Sequence, residues 1–135
     1  MDIVSIENLI KPKIDELKCE YETKSYIVGI FKKYEKSTSG LLLDDSLISL
    51  YNSARAQSNF RMFQDLGDFI FFMQTLFPAY LKNGSSDYFD TIARSSYFYC
   101  FKLLKRQWHV YEEMADDFVS LEKQTRKILS KTITF

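Results

Sequence analysis

The residues best suited to chemistry lie together in WHVYEEMADDF, Trp108 to Phe118. At helical spacing, one side of this segment carries a histidine and three carboxylates: His109, Glu112, Glu113 and Asp116. A histidine and a carboxylate four residues apart can hold a divalent metal ion. A ferritin-like di-iron centre is excluded, because it needs a Glu-x-x-His pair on each of two helices and the chain has one histidine. Zinc sites of the usual His and Cys type are also short of ligands.

We therefore interpret this acidic segment as a solvated helix face, because charge clusters opposite an apolar stripe form the outer surface of bundle helices. A haem protein is disfavoured for a similar reason. An axial histidine points into an apolar cavity, whereas His109 lies opposite the apolar stripe of its own helix.

Cys19 and Cys100 lack CxxC spacing and are expected to be buried thiols. We expect no metal and no cofactor.

Other signatures of known activities are missing from the sequence. It contains no glycine-rich phosphate loop and no Gly-x-Ser-x-Gly elbow, so a noncatalytic protein is favoured over an enzyme. Eighteen basic residues balance eighteen acidic ones, which argues against a nucleic-acid partner.

The chain length and the N-terminal composition predict one domain and a location. A chain of 135 residues can bury a core of its own, so residues 1–135 are expected to form a single helical domain. The N-terminus, MDIVSIENLIKPK, is acidic where a signal peptide is basic, which favours the cytoplasm. The apolar run from Leu66 to Pro78 is interrupted by Gln74 and Thr75 and is shorter than the about 20 residues that span a bilayer. No membrane association is expected.

Apolar spacings of three and four residues recur along the chain and predict an all-α bundle of five or six helices. Only four glycines and two prolines interrupt this pattern. Pro12 is expected to separate a short first helix from the second, and Ser58 or Asn59 to cap a long helix that ends near Leu81 to Lys82. The last two predicted helices run from Tyr88 to about Lys105 and from about Gln107 to Ser130.

A helical wheel of the long helix predicts one core face and one residue pair outside it. The core face carries these residues: Leu66, Phe69, Ile70, Phe72, Met73, Leu76 and Phe77. Gly67 and Phe71 fall on the other side, where Phe71 is the single large apolar group among polar neighbours. We predict that Gly67 and Phe71 form a contact face for a partner. The alternative is that Phe71 packs beneath residues 1–12.

The aromatic segment from Asp87 to Leu104 predicts the central helix of the bundle and a polar cluster within its core. Its tyrosine hydroxyls need partners when they are buried, and Asp68 or Asp90 can accept their hydrogen bonds. Arg94 is the expected charge partner of Asp68. We therefore predict a buried polar cluster of structural use that contains Asp68, Arg94 and Tyr97.

Twelve residues form a pattern of Leu-Gly-Asp, Phe-Phe, Phe-Pro with a leucine three residues later, Tyr-Phe and Ser-Tyr. They are Leu66, Gly67, Asp68, Phe71, Phe72, Phe77, Pro78, Leu81, Tyr88, Phe89, Ser96 and Tyr97. The pattern resembles that of a family of small, functionally uncharacterised, all-helical bacterial proteins. The resemblance extends from Leu66 to Tyr97, which is about a quarter of the chain. It implies a helical fold and a bacterial origin, and it implies no activity.

The function expected from these patterns is noncatalytic. We predict that the chain binds another protein or itself, the latter as a homodimer. The alternative is a protein that binds a small apolar or aromatic ligand between two helices, Leu66 to Phe77 and Tyr88 to Leu104. Light scattering distinguishes an oligomer, and native mass spectrometry distinguishes a bound ligand.

Overall fold

The computed structural model describes residues 6–35, 46–77 and 86–132, and the regular structure in these ranges is helical throughout. A short 3-10 helix, Lys11–Glu16, follows the first of seven α-helices. The α-helices, in chain order, are α1 (Ile6–Ile10), α2 (Tyr21–Glu35), α3 (Ser46–Gln57), α4 (Phe60–Leu76), α5 (Ser86–Leu103), α6 (His109–Asp116) and α7 (Phe118–Thr132). The predicted all-α class is confirmed, whereas the predicted number of helices is too low.

The extra helix arises because the predicted C-terminal helix is two helices. Helix α6 ends at Asp116, and Asp117 leaves the helical conformation with φ −108° and ψ 19° before α7 begins at Phe118. Met114 on one side of this break and Phe118 on the other are both fully buried. The break at Asp117 therefore lets both helices direct an apolar side to the same core.

Helix α4 begins where the sequence predicts and ends earlier. Asn59 is its N-cap, since the side-chain oxygen accepts a hydrogen bond from Met62 N at 3.1 Å. The helix ends at Leu76, and Phe77 adopts φ −134° and ψ 60°. The predicted end near Leu81 to Lys82 is therefore wrong, because a proline at position 78 disfavours a helical conformation at the residue before it. Pro78, Leu81 and Lys82 lie outside the described residues.

Helix α4 is the central element of the bundle and packs against α2, α3, α5 and α7. Every residue from Leu66 to Leu76 is buried, including Asp68, Gln74 and Thr75. A helix buried on all sides has no solvated face, so its polar residues lie in the core. Helix α5, which the sequence predicts to be central, also packs against four helices, α3, α4, α6 and α7, but keeps one exposed side.

In the three described ranges, no helix combines the length and the apolar character needed to cross a membrane.

Candidate functional site

The carboxylate of Asp68 is the centre of a buried polar network that joins α2, α4 and α5. Its Oδ1 accepts hydrogen bonds from the hydroxyls of Tyr26 at 2.6 Å and Tyr97 at 2.7 Å. Its Oδ2 accepts one from Lys33 Nζ at 3.2 Å, and the same ammonium donates to Asp65 Oδ1 at 2.6 Å. Asp68 is only 3% exposed. Three donors thus satisfy a carboxylate that water does not reach.

The protonation states in this network support its hydrogen bonds. Burial and the charge of Asp68 raise the pKa of Tyr97 well above its usual value, so the phenol remains a donor. Burial lowers the pKa of Lys33, but the carboxylates of Asp68 and Asp65 outweigh this effect and hold it above the usual value. Burial raises the pKa of Asp68, and Lys33 and the two tyrosines oppose that shift. At neutral pH, Tyr97 and Lys33 therefore keep the protons that they donate.

The structure brings Asp68 and Tyr97 together but places Arg94 elsewhere. Arg94 Nε donates to the carbonyl of Ala115 at 2.8 Å, near the C-terminal end of α6. That carbonyl has no partner within its own helix, and a cation is favourable at a helix C-terminus. The predicted Arg94 to Asp68 pairing is therefore wrong. Lys33 takes this place from α2, 35 residues away in sequence, and no sequence signal distinguishes it from the other basic residues.

Gly67 and Phe71 do not form an exposed face, which corrects the sequence prediction. Phe71 is 0% exposed, and its ring packs against Phe31 of α2 and Phe118 of α7, with centroids 6.4 and 5.6 Å apart. A Cβ atom added to Gly67 would lie 2.7 Å from Cζ of Tyr97. Gly67 thus allows α5 to approach α4. The prediction failed because the helical wheel took polar neighbours as a sign of solvent, whereas α4 is buried on every side from Leu66 to Leu76.

The acidic segment from Trp108 to Phe118 attaches α6 to the start of α2. His109 Nε2 lies 3.7 Å from Glu22 Oε1, and Trp108 Nε1 donates to Glu22 Oε2 at 3.1 Å. Glu113 accepts from the backbone N–H of Glu20 at 3.2 Å, where the dipole of α2 favours a negative charge. Glu113 therefore has a structural contact that a purely solvated face does not provide. Within the described ranges, no group of three or more ligand side chains is placed to hold a metal ion.

One side of α5 remains exposed, and we call it the outer α5 face. Tyr88 and Phe98 are 43% and 45% exposed. The face consists of Asp87, Tyr88, Thr91, Ser95, Phe98 and Lys102. A depression of about 270 Å³ lies beside it, and its lining comprises Thr91, Arg94, Ser95, Phe98, Ala115 and Asp116. This face was not predicted from the sequence.

A second depression, of about 420 Å³, opens between α3, α4 and α5. Its wall includes Phe63 and Tyr99, whose rings stack with centroids 4.7 Å apart. The sequence predicts a ligand between Leu66 to Phe77 and Tyr88 to Leu104, but Gly67 and Tyr97 are in close contact in that part of the interface between α4 and α5. The depression lies instead where α3 adjoins this interface.

No protein-family model, curated protein or solved structure matches this chain. Its function has to be inferred from its own geometry.

Proposed function

We propose that this chain is a noncatalytic interaction protein that binds a protein partner, another copy of itself included, through the outer α5 face. The observation that carries the proposal is the exposure of two large aromatic side chains, Tyr88 and Phe98, on one side of one helix. Aromatic residues are enriched where proteins meet.

The surroundings of Phe98 support this proposal. The opposite side of α5 is buried in the bundle, so the exposed side is the one still available for a contact. Small side chains, Thr91 and Ser95, lie next to Phe98 and leave the depression into which a partner's side chain can insert. Lys102 Nζ lies 5.5 Å from the centroid of the Phe98 ring, and Arg94 is exposed nearby. An aromatic centre with a charged rim is the usual composition of a protein interface.

The buried network supports a noncatalytic role for its own residues. A general acid or base needs to reach the proton that it transfers, directly or through one water. Asp68 is 3% exposed and already accepts from three donors. Its geometry suits the joining of three helices better than the binding of a substrate.

A substitution at Phe98 tests the proposal, with Tyr21 as the matched control. Tyr21 is an aromatic residue of a different helix, α2, and is 74% exposed. We expect Phe98→Lys to weaken association and Tyr21→Lys to leave it unchanged, while the circular dichroism of both variants stays that of the parent. Association is measured by sedimentation of the purified chain and by photo-crosslinking from position 98 in cells. Equal crosslinking from positions 98 and 21 would refute the proposal.

The larger depression favours a second candidate function, the binding of a small aromatic ligand. Its volume of about 420 Å³ falls in the range of small-molecule sites, and Phe63 and Tyr99 offer an aromatic wall. Titration with benzoate or indole, followed by NMR, tests this candidate. Shifts confined to the lining of the depression would support it, and the absence of shifts at millimolar ligand would reject it.

A further inference from the structure

We infer that the partner of the outer α5 face is a second copy of this chain. The two α5 helices pack antiparallel about a two-fold axis that passes between Arg94 and Ser95. This inference rests on the proposed function, because it names the occupant of the same face. It is carried by two features of α5 that are complementary when the helix is reversed, the opposite charges at its ends, Asp87 and Lys102, and the large and small side chains of Phe98 and Thr91.

The charges at the two ends of the face have opposite signs. Asp87 lies in the first turn of α5 and Lys102 in the last, and both are exposed. At 100° and 1.5 Å per residue, they lie on the same side of the helix and about 22 Å apart. Across the two-fold axis, a residue of one copy faces the residue of the other copy that lies equally many positions from the axis but on its other side in the sequence. Asp87 of each copy therefore faces Lys102 of the other, and the contact occurs twice.

These two charges are available for a contact between copies. Within the described part of the chain, no ion pair involves Asp87 or Lys102. The Lys102 ammonium lies over the rings of Phe98 and Tyr99, at 5.5 Å from each centroid, which keeps it on the outer α5 face. A parallel arrangement would instead bring Asp87 against Asp87 and Lys102 against Lys102. Charge complementarity therefore selects the antiparallel arrangement.

The side-chain sizes match in the same register. The two-fold axis places Phe98 of one copy opposite Thr91 of the other, beside the depression of about 270 Å³. Thr91 and Ser95 are small, and Arg94, the large residue beside the axis, is held toward α6 by its hydrogen bond to the carbonyl of Ala115 at 2.8 Å. Each copy then inserts one phenyl group and receives one, as an interface with two-fold symmetry requires.

The size of the face predicts a weak dimer. Helix α5 has 18 residues, which corresponds to a length of about 27 Å. Contact along one helix covers less than the about 800 Å² per partner of a standard interface. The dimer is therefore expected to dissociate on dilution, and its affinity should respond to single charges.

Charge reversal tests the register directly. Asp87→Lys creates two lysine–lysine contacts in the dimer, and Lys102→Asp creates two aspartate–aspartate contacts. We expect each variant to associate about tenfold more weakly than the parent in sedimentation equilibrium up to millimolar protein. The double variant restores opposite charges at both contacts and should recover the affinity. An equimolar mixture of the two single variants should associate as well, since their mixed dimer also pairs opposite charges twice.

Two further variants control for net charge and folding. Glu112→Lys and Lys123→Asp make the same changes in net charge at exposed positions of α6 and α7, outside the outer α5 face. Both are expected to leave association unchanged at matched salt concentration. Circular dichroism of all variants verifies that the bundle is folded.

The outcomes separate this inference from the proposed function. A parent chain that stays monomeric at millimolar concentration overturns the inference. The proposed function, binding of a protein partner through the same face, is then tested by the photo-crosslinking from position 98. If Phe98→Lys abolishes a dimer that the charge reversals do not change, the antiparallel register is wrong and the proposed face stands. If the two single variants fail to associate when mixed, the register is wrong as well.

Discussion

Replacing Gly67 by alanine tests the closest approach between α4 and α5. The added Cβ would lie 2.7, 2.8 and 2.9 Å from Cζ, Cε2 and Cε1 of Tyr97. Carbon atoms in contact are normally separated by about 3.5 to 4.0 Å, so the ring has to move by about 1 Å. Tyr97 is 0% exposed, and its hydroxyl is fixed at 2.7 Å from Asp68 Oδ1. The movement therefore strains the core and the hydrogen bond together.

The expected change in the free energy of unfolding follows from three contributions. Overpacking a core typically costs about 1 to 3 kcal/mol, and a lost hydrogen bond to a charged group costs about 1.5 to 3 kcal/mol. Alanine offsets about 0.5 to 1 kcal/mol of this loss through its higher helix propensity. We expect Gly67→Ala to destabilise the chain by about 2 to 4 kcal/mol, allowing for partial relaxation around the ring.

Gly29 provides the matched control, because it also lies within a helix but has no atom within 4 Å of an added Cβ. Gly29→Ala should stabilise the chain by about 0.5 to 1 kcal/mol. Urea denaturation followed by circular dichroism measures both variants. A Gly67→Ala midpoint equal to or above that of the parent would refute the close packing between α4 and α5.

Three further predictions follow from burial. Phe71→Lys should lower stability by about 3 kcal/mol or more without changing the oligomeric state, because it places a charge in the core; a midpoint unchanged in urea would contradict this. Burial raises the pKa of Cys19 to about 11, so a thiol reagent at pH 8 should modify the native chain slowly and the urea-unfolded chain fast. Burial also raises the pKa of Tyr26 and Tyr97 in the folded state. Their stabilisation is complete below the unfolded tyrosine pKa of about 10 and is lost as pH rises further, so the part of the tyrosinate absorbance that comes from these two residues should appear only together with unfolding.

The sequence alone determined the local structure. Apolar spacings of three and four predict the helices because one turn of an α-helix has 3.6 residues. Asn59 as N-cap follows from the same local chemistry, since its side chain bonds a backbone N–H three residues away. The early end of α4 at Leu76 was equally available from the sequence, because Pro78 restricts its immediate neighbour.

Only the tertiary structure decided that α4 is buried on all sides from Leu66 to Leu76 and which side chains of different helices meet. The wheel placed Phe71 away from the core face, but α2, α3, α5 and α7 surround the helix and bury this residue as well. Asp68 finds Tyr26 and Lys33 on α2, 42 and 35 residues away. A spacing pattern describes neighbours within one helix, whereas the packing of several helices fixes contacts across such distances. The packing of the other helices also decides which side of α5 is exposed, because it covers the remaining sides.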